Sequence, residues 1–467
     1  MVNLDTLLKK HQEYDQGVDL DLVRHAYAFA EAAHLGQKRR NGEDEIAHLL
    51  KTADYLADYR VDSVTLAAAL LHDVLEESDI DRQMLAKEFN EEIAALVDGL
   101  TVVRAASGRV EIGKGKDWEN LRHLILASIH DPRVMIIRLA DKIHNLRTSS
   151  VLTEEERRIS AQKVFDIWAP LAEILGLYRF KSEMEDQAFE ILHPREFESI
   201  KSAVRSESEK MSRVVDLVSD KISTELHHQS IPVEITSRTK HLFGVYRKMT
   251  RYKSHPGGRL FDVLGLRVVT DTVENCYRVL DIVRRLWKEV PELFDDYIAN
   301  PKVNGYQSLH AVFEVNQHPV EIQIRTGPMH EVAEYGLATH SIYKEKGDRH
   351  VTAEERIRII KSLLVWGKGR ELDLFPDRVF VFTPKGDVKV LPKGATPVDF
   401  AFAVHTQIGR QCAGAKANGK VVSLDYQLKT GEMVEIITAK GRKPSTDWLR
   451  FVKTDHARSE IEKMVRG

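Results

Sequence analysis

Two dispersed groups of side chains have the types and spacing to do chemistry. In the first third of the chain, His48, the adjacent His72 and Asp73, and Asp141 combine imidazole nitrogen with carboxylate oxygen. A mixed set of this kind suits Mn²⁺, Fe²⁺ or Zn²⁺ better than Ca²⁺, and a water beside such an ion can lose its proton near neutral pH. For His48 alone, a buried capping or salt-bridging histidine is as good an account. His72 and Asp73, however, fall in the apolar run LAAALLHDVLEES, where an uncompensated charge is costly to bury and a metal would compensate it. Read as one helix, that run places Glu76 and Glu77 one turn after them, each near the residue four before it. Asp141 and Asn145 in RLADKIHNLRT are also four apart. The chemistry implied is metal-assisted phosphate hydrolysis.

The second group lies mid-chain. Residues 231–260 hold seven Lys/Arg against one Glu. A solvated basic helix face is the plain alternative, and the sequel argues for phosphate chemistry instead. Asp262 directly precedes an apolar strand, and Glu321 sits on the strand face opposite Val320, Ile322 and Ile324. Two carboxylates on rigid sheet positions can hold Mg²⁺, which neutralises triphosphate charge while arginines and lysines clamp its oxygens. Between them, Lys302, Asn304, Gly305, Tyr306 and His310 occupy a turn-prone loop. There an exposed Tyr can stack on a purine and an Asn or Gln can read its edge. This is an arrangement for nucleotide-phosphate transfer, so one polypeptide could both make and destroy the same compound.

The elements that must position these groups follow from periodicity. From about Asp21 to Leu192 the pattern is helical, with Leu22, His25, Ala26, Phe29 and Ala30 on one face. Its main interruption, SGRVEIGKGK at 107–116, reads as an exposed loop. It matches most of a phosphate-loop motif but has Gly115 where Ser or Thr is required. An amphipathic connector, 196–228, leads into an α+β region of about 231–345 with strands at 263–270 and 320–325 and a helix at 273–290. A helical stretch at 351–370 follows, then a strand-rich module with turns at Pro384–Gly386 and Lys429–Gly431 and a helix from Pro397 to Val404. No internal repeat or heptad stands out.

At 467 residues, the usual length of about 150 residues per domain gives about three domains. Being 43% hydrophobic and 30% charged places the chain among globular proteins, and a net charge of −3 supplies no overall pull toward nucleic acid. Two cysteines, Cys276 and Cys412, are too few for a disulfide framework or a thiolate zinc site, so metal chemistry falls to imidazole and carboxylate. A reducing compartment is the natural expectation. No apolar run approaches the ~20 residues needed to span a bilayer, so a cytoplasmic, unanchored protein is expected.

The segments GQKRRNGEDEIAH, LLHDVLEES, ENLRHLILASIHDPRVMIIRLADKIHNLRT and APLAEILGLYRFKSEMEDQAF resemble the HD-type hydrolase domain of long RelA/SpoT homologues, the stringent-response alarmone enzymes. The segments ITSRTKHLFGVYRKM, RLFDVLGLRVV, DDYIANPKVNGYQSLHAVF and VEIQIRTGPMHEVAEYGLATH resemble their synthetase domain, and residues 377–438 resemble their TGS domain. In the hydrolase domain the resemblance implies that His48, His72, Asp73 and Asp141 hold Mn²⁺. Glu76 and Glu77 would position or activate water, and Arg39, Arg40, Asn145 and Thr148 would grip the nucleotide. In the synthetase domain it implies transfer of the β,γ-pyrophosphoryl group of ATP to the ribose 3′-hydroxyl of GDP or GTP. Asp262 and Glu321 would be the Mg²⁺ and catalytic carboxylates. Arg238, Lys240, His241, Arg247 and Lys248 would bind ATP, and Lys302, Asn304, Tyr306 and His310 the guanosine nucleotide, Tyr306 by stacking. In the TGS domain, His405 would contact uncharged tRNA on the ribosome; a histidine packed beside Phe400 and Phe402 is the bland account. The chain departs from the family pattern at Leu49, where Pro is usual, at Glu77, where Asp is usual, and in RRNG.

The fold class expected is multidomain: an all-α HD-type hydrolase domain (1–197), an α+β nucleotidyltransferase-like synthetase domain with its helical connector (198–348), a helical linker (349–374), a small β-grasp-like TGS domain (375–440) and the start of a following helical region (441–467). Long members of the family continue further, which suggests a truncated or shortened form here. The leading reading is a bifunctional enzyme that synthesises (p)ppGpp and hydrolyses it. The alternatives are a synthetase with a weakened hydrolase, or a non-catalytic guanine-nucleotide and tRNA sensor.

Overall fold

The computed structural model describes residues 2–15, 17–108, 131–251, 264–302, 304–336, 378–384, 388–439 and 441–466. They fall into two compact units, one within Met1–Thr101 and Arg133–Arg349, the other within Val102–Pro132 and His350–Gly467.

The chain begins all-helical: α1 (Leu4–Tyr14), α2 (Leu20–Ala33), α3 (Glu45–Ala57), α4 (Ser63–Leu70), α5 (Val74–Glu77), α6 (Arg82–Glu88), α7 (Glu91–Gly108), α8 (Pro132–Arg147), α9 (Glu154–Lys163), α10 (Ala169–Ile174) and α11 (Tyr178–Leu192). Local chemistry sets many of the starts. Asn3 and Thr6 form a capping box for α1, Thr153 and Glu156 one for α9, and the Asp62 carboxylate accepts the Thr65 N–H at the head of α4. Leu49 and Leu56 on α3, Leu66 and Leu70 on α4, and Ile137 and Ile143 on α8 are fully buried. Between α9 and α10 the chain widens into a π-helical turn, Val164–Trp168. Pro170 lies just beyond it, and a proline ring clashes with the carbonyl four residues back, which a wider turn relieves.

Two expectations change here. The run LAAALLHDVLEES is not one helix, because α4 stops at Leu70 and residues 71–73 form a turn before α5. The His72 imidazole takes the Ala69 carbonyl at 2.7 Å, and the Val74 N–H bonds Leu71 rather than the residue four back. Ser107 and Gly108, expected in the loop at 107–116, close α7 instead; the rest of that segment lies outside the described residues.

The long helix α12 (Pro194–His228) joins the two halves of the first unit. Its first part packs Phe197, Ile200 and Val204 against Phe189 of α11. Its second part lays Met211, Val215, Val218, Ile222 and Leu226, spaced three or four apart, under a sheet. The sheet contains β1 (Val233–Thr239), β2 (Leu264–Thr270), β3 (Lys288–Glu289), β4 (Asp295–Asp296), β5 (Leu309–Val315) and β6 (His318–Thr326), in the order β1-β2-β6-β5-β3 with β4 beside β5. Only β2 and β6 run parallel among these pairs. Helices α13 (Leu242–Arg251), α14 (Val273–Leu286) and α15 (Gly327–Tyr335) complete it. The α14 helix ends at Leu286, short of the expected residue 290. Trp287 is already extended, and Pro291 disfavours helical backbone in the residue before it. Val320, Ile322 and Ile324 enter the core with α12 and α14, leaving Glu321, Gln323 and Arg325 on the opposite face. The two halves also meet backbone to backbone: a Cβ on Gly336 would lie 2.9 Å from the Gly176 carbonyl.

The second unit is the small strand-rich module. Strands β7 (Arg378–Phe382) and β8 (Val388–Pro392) pair, and β9 (Cys412–Ala417) is flanked by β10 (Lys420–Val422) and β11 (Val434–Thr438). A bridge from Phe382 to Met433 links the two sheets. Helices α16 (Pro397–Val404), α17 (Thr406–Arg410) and α18 (Asp455–Arg466) follow, and Phe402 of α16 and Ile461 of α18 share a core with Cys412 of β9 and with Trp448 from the short turn at Thr446–Arg450. The buried Asp399 carboxylate accepts the N–H groups of Thr396, Lys453 and Thr454 and so fastens the final segment to α16. The expected helix at 351–370 and most of the turn at Pro384–Gly386 lie outside the described residues.

Two candidate active sites

In the helical half, α3 brings His48, the turn after α4 brings His72 and Asp73, and α8 brings Asp141 to one buried point. His48 and His72 are fully buried. The His48 Nε2 lies 3.4 Å from Asp141 Oδ1, and the His72 Nε2 lies 3.4 Å from Asp73 Oδ2 and 4.0 Å from Asp141 Oδ1. The Ala69 carbonyl takes the His72 Nδ1 proton, so its Nε2 presents a lone pair inward. Both Nε2 atoms are buried without a hydrogen-bond partner. Two unsatisfied imidazole nitrogens beside carboxylates fit a divalent cation. His48, His72 and Asp73 each offer a ligand atom within 4.8 Å of the others, as do Glu45, Asp73 and Glu77. Burial alone would raise the pKa of Asp141, but Lys142, His48 and Arg138 hold it well below the usual carboxylate range. Burial lowers that of His48.

The other residues expected here divide. Glu77 is half-buried and joins the acid group, whereas Glu76 is exposed. Arg39 reaches across to Glu45 and to the Asn145 carboxamide oxygen, each at 2.6 Å, and Asn145 in turn donates to Asp141 at 2.6 Å. Arg40 is exposed and pairs with Glu156 at 3.2 Å. Thr148 donates to the His144 carbonyl at the end of α8. Sequence reasoning missed His144, whose Nδ1 meets His48 Nδ1 at 2.8 Å, and Arg138, whose guanidinium donates to Asp141 at 3.0 Å. Both lie three residues from Asp141, one helical turn away, which was the available signal.

The second site is a cavity of about 750 Å³ between the polar face of the sheet and α11. Its lining includes Arg238, Lys240, His241 and Arg247, and also Lys302, Tyr306, His310 and Glu321. Gly265 faces Glu321 across β2 and β6. Its lack of a side chain is required, since a Cβ there would stand 2.7 Å from the Glu321 carbonyl. Arg238 and Arg325 both donate to the Gln323 side-chain oxygen, at 2.8 and 2.9 Å. Arg325, Gln323, Arg267 and the α11 wall were not foreseen; the alternation of β6 pointed to the first two. From that wall, Glu185 pairs with His241 at 3.0 Å, and Asp186 accepts the Leu242 and Phe243 N–H groups at 3.1 and 2.8 Å, capping α13. Lys248 lies on that helix. Asp262 lies outside the described residues.

Tyr306 was expected to be exposed and is 8% exposed. Its ring packs edge-on against Tyr178, Tyr297 and His310, with the Lys302 ammonium 5.2 Å from its centre. In the second unit His405 is exposed and caps α17 through Nδ1 and the Gln407 N–H, instead of packing beside the phenylalanines.

Sequence comparison gives the family of the chain. A family model described as an HD domain matches residues 26–178, one described as a region found in RelA/SpoT proteins matches 237–348, and a TGS domain model matches 379–438. The chain is 39% identical to the bifunctional (p)ppGpp synthase/hydrolase SpoT of Escherichia coli, covering 100% of this chain and 67% of that protein. It is 41% identical to a guanosine-3′,5′-bis(diphosphate) 3′-pyrophosphohydrolase of Aquifex aeolicus (95% and 64% covered) and 37% identical to a GTP pyrophosphokinase of Myxococcus xanthus (97% and 61%). The chain belongs to the RelA/SpoT family, with an HD domain, the region found in RelA/SpoT proteins and a TGS domain in that order. It spans 61% and 64% of the length of the Myxococcus and Aquifex relatives.

Proposed function

We propose that this chain is a bifunctional alarmone enzyme that makes (p)ppGpp from ATP and GDP or GTP at the sheet cavity and removes its 3′-diphosphate at the histidine–aspartate cluster. The observation that carries the reading is the coexistence in one compact unit of two unsatisfied buried imidazole nitrogens beside Asp73 and Asp141, and of Glu321 in a cation-lined cavity. The working divisions are those expected from the sequence: hydrolase to residue 197, synthetase at 198–348 and TGS at 375–440.

In hydrolysis, His48, His72, Asp73 and Asp141 would hold Mn²⁺, which when bound supplies Lewis-acid activation of water and phosphoryl oxygen. Glu77, beside Asp73, would take the proton from the attacking water, with Glu76 at the exposed rim. Arg39 and Asn145 would exchange their mutual bond for nucleotide phosphate and base, helped by Arg40 and Thr148. In synthesis, Arg238, Lys240, His241, Arg247 and Lys248 would clamp the ATP phosphates, Asp262 and Glu321 would hold Mg²⁺, and Glu321 would assist loss of the 3′-hydroxyl proton. Lys302, Tyr306 and His310 would receive the guanosine nucleotide, Lys302 leaving the Tyr306 ring to admit a base, while Asn304, expected among them, would hold the loop that carries Tyr306. The TGS module, through the exposed His405, would contact uncharged tRNA on the ribosome. A cytoplasmic site of action accords with these substrates; no helix among the described residues is long and apolar enough to cross a membrane.

Two incubations followed by nucleotide chromatography test this: ATP and GDP with Mg²⁺, and guanosine tetraphosphate with Mn²⁺. Guanosine tetraphosphate from the first and GDP with pyrophosphate from the second are expected. Product in the first alone would reduce the chain to a synthetase, and product in neither would leave a nucleotide-binding sensor.

A further inference from the structure

Asn304 has its carboxamide almost fully committed. One nitrogen proton goes to the Glu173 carbonyl at 2.8 Å and the other to the Tyr178 hydroxyl at 2.7 Å, both in the helical half. Its oxygen accepts the Tyr306 N–H at 3.2 Å. An amide with both protons used keeps one acceptor lone pair, so it acts as a clip between segments and has no donor left for a purine edge.

The clip continues toward Glu321. The Tyr306 hydroxyl lies 2.8 Å from His310 Nε2, and His310 Nδ1 lies 3.3 Å from Glu321 Oε1. A single tautomer serves both contacts, with Nδ1–H directed to the carboxylate and Nε2 accepting the phenol. Polar contacts therefore run unbroken from Tyr178 through Asn304, Tyr306 and His310 to Glu321. The Tyr178 and Tyr306 rings also touch edge to face, with centroids 5.4 Å apart.

We propose that Tyr178 is a positioning residue of the synthetase site: from the helical half, together with the Glu173 carbonyl, it clamps Asn304 so that the loop from Asn304 to Ser308 presents its guanosine-binding face and sets His310, at the start of β5, against Glu321. The inference rests on the synthetase reading of this cavity. It makes guanosine-nucleotide capture depend on a side chain outside the synthetase fold, while the ATP-binding residues on β1 and α13 do not use the clip.

The test is steady-state synthesis and hydrolysis by the full chain carrying Tyr178→Phe, which keeps the ring and removes only the hydroxyl. The KM for GDP is expected to rise about 3–10-fold, the effect of one lost hydrogen bond. The KM for ATP and the rate of guanosine tetraphosphate hydrolysis should stay within about twofold, the scatter of a surface change. In an Asn304→Ala background the same change should add nothing, since its partner is gone. An unchanged KM for GDP, an equal rise in both KM values, or multiplicative effects in the double variant would overturn the proposal. A wild-type chain that makes no guanosine tetraphosphate from ATP and GDP would overturn the synthetase reading itself, a result separate from an indifferent Tyr178→Phe in an active enzyme.

Discussion

His48 and His144 meet ring nitrogen to ring nitrogen, Nδ1 to Nδ1, at 2.8 Å in the buried centre of the helical half. Only one proton fits between them. Burial, reinforced by the neighbouring His48, pushes the His144 pKa down to about 4, so it stays neutral and can accept. The His48 Nδ1–H then donates, which fixes its tautomer and leaves Nε2 as a lone pair facing Asp141. His144→Ala should therefore weaken Mn²⁺ binding by about 10–100-fold, the usual effect of losing such an outer partner. Calorimetric titration of the metal-free protein measures it; unchanged affinity would mean that His48 is oriented by something else.

Gly265 is held to glycine by the backbone of its neighbour. Any Cβ would stand 2.7 Å from the Glu321 carbonyl in the parallel β2–β6 pair. Gly265→Ala must push the two strands apart, and overpacking of this kind costs about 1–3 kcal/mol. Urea denaturation should show that loss, and synthesis should fall with it because Glu321 moves. Wild-type stability together with wild-type synthesis would contradict the close approach.

His11 supplies a pH dependence. It is fully buried with Nε2 2.8 Å from the Ser63 hydroxyl, and burial lowers its pKa although Asp15 and Asp62 oppose the shift. Unfolded, it titrates near its ordinary value of about 6.5. Between the lowered folded pKa and that value the unfolded chain binds the extra proton, so stability is complete above about pH 6.5 and is lost as pH falls through that window. Melting temperatures at pH 7.5 and 5.5 should drop more for the wild type than for His11→Gln. Equal drops would show that His11 protonates without penalty.

The sequence made the helical half, the strand alternation of β6 and the grouping of His48, His72, Asp73 and Asp141 legible, because apolar period and ligand chemistry are local signals. What it hid was set by tertiary contact. A turn at Leu71–Asp73 interrupts a run whose composition is uniformly helix-favouring, and it turns because His72 takes the Ala69 carbonyl. Tyr306 is polar in its surroundings and looked exposed, yet Tyr178, 128 residues earlier, covers one edge of it. The acidic wall of the sheet cavity comes from α11, in the helical half, and no spacing within the basic segment could announce Glu185 opposite His241.

The account rests on two separate sites in one chain, and the most direct measurement is a crossed assay of two variants, Glu321→Gln and Asp73→Ala, each monitored for synthesis and hydrolysis by nucleotide chromatography with circular dichroism as the check on folding. Glu321→Gln should lose guanosine tetraphosphate synthesis and keep its hydrolysis, and Asp73→Ala should do the reverse. A folded variant of either kind that loses both activities, or neither, would contradict the assignment.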